Sequence, residues 1–201
     1  ARYSHVLKEL QEVPWVVRGE MAIPGGNIQQ LNRRENWHKA KYHIFDIYEF
    51  EGEDVSDMCP SEARQLVESI LSEYDFDHIC TPPKFDDFKK GWKHVVKNDA
   101  EGLVLKEADG TCLKVKLLKE EKLPIVGHVP GKAKGAFMIN RNGVTSKVSG
   151  TSVSFLNEFK KLEAKGLEIF AEIEYSFLTD KGTPFHPRLR RLGTLDMLST
   201  T

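Results

Sequence analysis

The sequence predicts an α+β chain in two domains, the second a small barrel of short strands. Three observations predict it. Two amphipathic helical repeats, at 66–74 and 85–96, lie between strand-like runs in the first 122 residues. From Leu123 the texture changes to short strands interrupted by one helical stretch. The charge changes at the same place. Residues 1–122 hold 18 Lys and Arg against 23 Asp and Glu, a balance of −5; residues 123–201 hold 11 against 7, a balance of +4.

Taken in order, Val6, Leu7 and Leu10 predict a short helix ended by Pro14. The apolar Trp15-Val16-Val17 starts a strand that runs through Glu20 and is broken by Pro24-Gly25-Gly26. A polar stretch, 32–41, precedes a β-rich strand at 42–48, with a turn at 51–54. In the first helical repeat, after Pro60-Ser61, Leu66, Val67, Ile70, Leu71 and Tyr74 recur. In the second, Phe85, Phe88, Trp92, Val95 and Val96 recur, and these are expected to be core. A hairpin follows, 102–106 and 112–118, turning at Asp109-Gly110. Beyond the boundary at 120–124, strands are expected at 125–129, 136–140 and 144–148, the last two joined by Asn142-Gly143. A helix at 153–164 and strands at 167–177 and 188–192 complete the chain. Five short strands with one interposed helix suit an OB-type barrel.

Bulk composition, 40% hydrophobic and 29% charged, excludes a disordered chain. No apolar run approaches the roughly 20 residues of a membrane-spanning helix, and the start has no signal-peptide pattern. The first residue is Ala1, which suggests a processed or truncated start. Cys59, Cys80 and Cys112 are widely spaced and odd in number. They fit no disulfide framework or zinc spacing and read as thiols of a reducing cytosol.

Four short blocks carry candidate chemistry. Arg18-Gly19-Glu20 sets a carboxylate at the end of an apolar strand. Tyr42-His43-Ile44-Phe45-Asp46 is rich in aromatic residues. Glu101-Gly102-Leu103-Val104-Leu105-Lys106 opens a strand with an acid. Leu113-Lys114-Val115-Lys116 places two lysines on one strand face. Each alone has a plain structural reading, a surface acid or a core aromatic. Their order along the chain carries more than any one of them.

In this order the blocks resemble those of the covalent nucleotidyltransferase superfamily: ATP-dependent DNA ligases, RNA ligases and mRNA capping enzymes. That family reads Asp-Gly-Glu, Phe-Asp, Glu-Gly-x-x-x-Lys and Lys-x-Lys, and Arg18 departs from its first Asp. The resemblance implies an ATP-grasp-like ligase domain over 1–122 and an OB-fold β-barrel over 123–201. It implies ATP and Mg2+ as cofactors, with Glu20, Phe45, Glu101, Lys114 and Lys116 binding ATP or AMP. Within that set Glu101, Lys114 and Lys116 would be catalytic and Glu101 would hold the metal.

The C-terminal part narrows the resemblance to small bacteriophage-type DNA ligases. Gly127-His128, the loop 130–135, Glu172-Ile173-Glu174-Tyr175 and the pattern His186, Pro187, Arg191, Gly193, Thr194 carry it. The partner implied is nicked double-stranded DNA, gripped by Lys132, Lys134, Arg188, Arg190 and Arg191. The resemblance further implies a monomer in a bacterial or phage-infected cytoplasm, serving replication and repair.

No Lys-x-Asp-Gly, the family's nucleophile motif, occurs in the chain. Lys106-Glu107-Ala108-Asp109-Gly110 is one residue too long and is explained by its turn. The expectation is a fragment lacking the N-terminal strands of its parent, unable by itself to attach AMP. The alternatives are an RNA ligase or capping-type enzyme, and a non-catalytic nucleic-acid-binding remnant. Finding Lys-x-Asp-Gly encoded upstream of Ala1 would decide against the last.

Overall fold

In a computed structural model of the chain, residues 2–131 and 134–199 are described. The chain divides into two compact units, Ala1–Val115 and Lys116–Thr201. Among the described residues no helix is long and apolar enough to cross a membrane.

In the first unit, helix α1 (Ser4–Leu10) leads into strand β1 (Trp15–Ala22). The polar stretch that follows holds a one-turn helix α2 (Ile28–Leu31), capped by the Asn27 side chain, and a 3-10 turn (Arg34–Lys39). Strand β2 (Lys41–Phe50) runs antiparallel to β1, and β3 (Glu53–Asp54) folds back on it. Helix α3 (Pro60–Glu73) starts at a proline, with the Glu62 carboxylate accepting the Cys59 N–H at 3.2 Å. Its Ala63, Val67 and Ile70 bury against Ile44 and Ile47 of β2, as helical spacing requires. Strand β4 (Ile79–Cys80) joins the other side of β2 in parallel.

Helix α4 (Phe88–Asn98) rests on strand β5 (Gly102–Lys106), which pairs with β6 (Cys112–Lys116). Gly91 makes the close approach: a Cβ there would stand 3.1 Å from Leu103 Cδ1. The expectation of an aromatic core along this helix is corrected. Val95 is buried, but Phe88 and Val96 are 48% and 54% exposed, and Phe85 lies before the helix and is also exposed. An i, i+4 repeat marks an apolar stripe without saying what covers it.

The second unit is a five-stranded antiparallel sheet with two helices against it. Strand β7 (Lys119–Val129) begins earlier than the strand expected at 125–129. Strands β8 (Ala136–Arg141) and β9 (Val144–Val148) form a hairpin on Asn142 and Gly143, whose φ values of 50° and 84° suit a two-residue turn. Helix α5 (Val153–Glu163) starts at Ser152, whose hydroxyl accepts the Phe155 N–H at 3.1 Å, a cap worth about 1 kcal/mol. Strands β10 (Phe170–Tyr175) and β11 (Arg188–Gly193) follow, and helix α6 (Leu195–Ser199) ends the described chain.

The strand order is β11-β10-β7-β8-β9. Alternation on β10 sends Ala171, Ile173 and Tyr175 inward, where they meet Phe137, Ile139 and Val148 of the hairpin and Phe159 and Leu162 of α5. The two ends of this order touch once, through a parallel bridge between Ser149 and Arg188, where the Leu189 N–H donates to the Ser149 carbonyl at 2.9 Å.

Candidate active site

Two of the candidate residues, Glu20 and Phe45, lie on the face of β1 and β2 turned away from α3. Register decides which residues these are. Arg18 stands opposite Asp46 and Glu20 opposite His43, so all four side chains share the open face. Between these pairs the register slips: Gly19 faces Ile44, leaving Phe45 as the extra residue of a β-bulge. A second slip leaves Tyr48 extra in the same way. The first bulge allows Ile44 and Ile47, three apart, both to reach the core while Phe45 and Asp46 point outward, and the second does the same for Ile47 and Phe50. Phe45 and Tyr48 are each 36% exposed for this reason, whereas Ile44 and Ile47 are almost fully buried.

Gly19 permits the close pairing. A Cβ built on it would stand 2.3 Å from the His43 carbonyl oxygen and 2.8 Å from the Tyr42 ring. No other residue fits without moving β1.

Asp46 is the electrostatic centre. Its carboxylate accepts from Lys106 Nζ at 2.5 Å and from the Arg18 guanidinium. Lys106 Nζ also donates to the Phe45 carbonyl at 3.0 Å, so one ammonium ties the end of β5 to both residues of the bulge. Burial works to raise the Asp46 pKa, but the hydrogen bonds and charges of Lys106 and Arg18 outweigh it and hold the carboxyl below its ordinary range. The departure at Arg18 makes local sense. An aspartate in this register would face Asp46 directly, like charge against like. Arg18 also lies over the Tyr48 ring, 5.8 Å from its centroid.

His43 borders Glu20. Burial and Lys41 push its pKa down, and Glu20 opposes them. Cys80 of β4 lies beside it, Sγ 3.5 Å from His43 Nδ1, and burial pushes the thiol up, so it is a neutral neighbour.

Glu20 is exposed on β1. Glu101, also exposed, immediately precedes β5. Lys114 and Lys116 lie two apart on β6, both exposed. Lys106 therefore links the Glu101 block to the Phe45-Asp46 block. Sequence reasoning gave no role to Arg18, Asp46 or Lys106. The signal was present in the two acidic-basic blocks, but the contact joins residues 60 apart. Among the described residues no three His, Cys, Asp or Glu gather as a metal-binding group.

In the second unit, Lys132 lies outside the described residues. Lys134 is exposed on its loop, which His128 fastens through a 2.9 Å bond between Nε2 and the Lys134 carbonyl. Arg188 is exposed at the start of β11. Arg190 is the extra residue of a bulge and pairs with Glu174 at 3.0 Å; Arg191 pairs with Glu172 at 3.4 Å and donates to the Met197 carbonyl at 2.9 Å. The charges of these two are thus partly spent on their own sheet.

No protein-family model matches the chain. Over 162 residues it is 24% identical to the bifunctional non-homologous end joining protein LigD of Bacillus subtilis (strain 168), an alignment covering 72% of this chain and 26% of that protein. Among solved structures, Pmar-Lig_Pre superimposes with a TM-score of 0.69 at 19% identity, covering 96% of this chain and 56% of that one. A Lig E DNA ligase gives a TM-score of 0.64 at 16% identity, covering 88% and 76%. The ligase domain of Mycobacterium tuberculosis LigD gives 0.51 at 18%, covering 92% and 75%. The chain thus spans about a quarter of its curated relative and about half of the first of these structures.

Proposed function

We propose that this chain, which shares the fold of ATP-dependent DNA ligases and resembles LigD in sequence, is the nucleotide-binding and DNA-gripping part of such a ligase. The observation that carries the reading is the bulge on β2. Three separate blocks (Arg18-Gly19-Glu20, Phe45-Asp46 and the strand ending at Lys106) meet there, presenting an exposed ring beside carboxylates and cations.

On this reading Phe45 stacks on the adenine and Glu20 accepts hydrogen bonds from the ribose hydroxyls. Lys114 and Lys116 stabilise charge moving over the α-phosphate and the leaving pyrophosphate. Glu101 would hold Mg2+, which when bound supplies Lewis acidity at the phosphates. The parent reaction transfers AMP from ATP to a lysine, then to the 5′-phosphate at a nick, and joins the 3′-hydroxyl with release of AMP. The second unit is read as an OB-fold barrel, supported by its five-strand order and the single bridge between Ser149 and Arg188. Lys134 and Arg188 are its stronger candidates for the DNA backbone, because Arg190 and Arg191 already face carboxylates.

The missing Lys-x-Asp-Gly favours a second reading, a nucleic-acid-binding remnant that performs no chemistry. The two readings part at nucleotide binding. As a ligase part the chain binds ATP reversibly, and Phe45→Ala weakens binding roughly three- to tenfold. Incubation with labelled ATP and Mg2+ leaves no acid-stable label on the chain. ATP binding that is absent, or indifferent to both Phe45→Ala and Glu20→Gln, would sink the nucleotide site.

A further inference from the structure

Helix α4 carries a surface that the nucleotide site does not use. Phe88, Trp92 and Val96 follow one another at i, i+4 and i+8, and Lys89, Lys93 and Lys97 do the same one position later. Successive residues on a helix lie 100° apart, so the two ridges run side by side, each with steps of about 6 Å. Gly91 and Val95 occupy the buried face, opposite the lysine ridge and next to the aromatic one. Lys89, Lys90, Lys93 and Lys97 are all exposed, and none takes part in the ion pairs of the described residues. Of the aromatic ridge Phe88 and Val96 are exposed and Trp92 is half-buried, and the Phe88 and Trp92 rings stack with centroids 5.9 Å apart.

The charge is out of keeping with its surroundings. Residues 1–115 hold 15 Lys and Arg against 21 Asp and Glu, a balance of −6, yet α4 holds four lysines and no acid. Such a local concentration of cations beside flat apolar rings complements a polyanion that also offers flat apolar faces. A nucleic acid has both, in its phosphates and its bases or sugars.

We propose that α4 is a second nucleic-acid-docking surface, belonging to the first unit and distinct from the Lys134 loop. The lysine ridge contacts backbone phosphates, and the Phe88–Trp92 pair packs against an exposed base or sugar. The choice of nucleic acid over an anionic lipid surface rests on the ligase reading, and three apolar residues are few for membrane insertion.

The test is binding of the full chain to fluorescent nicked duplex DNA across a salt series, with a triple K89Q/K93Q/K97Q variant, a Trp92→Leu variant and a Lys134→Gln variant. Circular dichroism checks that each remains folded. Each phosphate contact contributes about 0.9 to the slope of log affinity against log salt. The triple variant is therefore expected to flatten the slope by roughly two to three and weaken binding at least tenfold. Trp92→Leu should weaken binding at unchanged slope. A chain that binds DNA through Lys134, but with slope and affinity unmoved by the α4 variants, overturns this inference and leaves the ligase reading intact. A wild-type chain that binds no DNA overturns both. Binding to phosphatidylglycerol vesicles that the triple variant abolishes, with DNA binding unaffected, overturns the nucleic-acid assignment in favour of a lipid surface.

Discussion

Asp46 holds two cations, and the structure ranks them. The Lys106 side chain is 28% exposed and makes a second bond, to the Phe45 carbonyl; the Arg18 side chain is 62% exposed, bonds to Asp46 and lies over the Tyr48 ring. Asp46 itself is 21% exposed. An exposed pair is screened by water and costs side-chain entropy, so the Arg18 pair should contribute less than about 0.5 kcal/mol. The less exposed, doubly bonded Lys106 should couple to Asp46 by about 1–2 kcal/mol. Two double-mutant cycles separate them: Asp46→Asn with Lys106→Met, and Asp46→Asn with Arg18→Met. Urea unfolding followed by tryptophan fluorescence is the suitable assay, because Trp15, Trp37 and Trp92 all lie in the first unit and report it alone. The pH dependence has a definite sign. With its folded pKa depressed, Asp46 contributes fully above its unfolded value, near 3.8, and the contribution fades as pH falls through the folded value. An Arg18 coupling equal to or larger than that of Lys106 would refute this ranking and the view that Lys106 fixes the bulge.

Gly19→Ala should destabilise the first unit by about 3 kcal/mol, since its Cβ meets the His43 backbone carbonyl oxygen as well as the Tyr42 ring; a change under about 1 kcal/mol in the same urea assay would show that β1 can shift cheaply. His43 has its folded pKa below its unfolded value of 6.5, so it favours the folded state fully above pH 6.5, and that contribution is lost as pH falls through the folded value. Melting temperatures measured from pH 7.5 downward should therefore fall more steeply for the natural chain than for His43→Gln, and parallel curves would contradict the assignment.

Much of the local structure is legible in the residues themselves. Helix α3 follows from its apolar spacing and its Pro60 start, the β8–β9 hairpin from Asn142-Gly143, and α5 from Ser152 ahead of an amphipathic run. These features depend on neighbours a few positions apart, which propensity and periodicity capture. The two-part order of the chain and the resemblance to ligases were legible for the same reason, each block being a short contiguous string. The bulges left a trace that alternation alone misreads: Ile44 with Ile47, and Leu189 with Leu192, are apolar pairs three apart inside strands. Only pairing with the partner strand shows that an extra residue lies between them, turning Phe45 and Arg190 outward.

What the tertiary structure alone decided is which charges meet and which apolar stripes stay uncovered. Asp46 and Lys106 meet across 60 residues through the Lys106 side chain at the end of β5, and no local rule encodes that meeting. Arg190 and Arg191 looked like free cations in sequence and proved to face Glu174 and Glu172 across a strand pair. The stripe on α4 has the periodicity of a core helix, yet Phe88 and Val96 remain open, because amphipathicity shows that a helix has an apolar side and only the fold shows what stands against it.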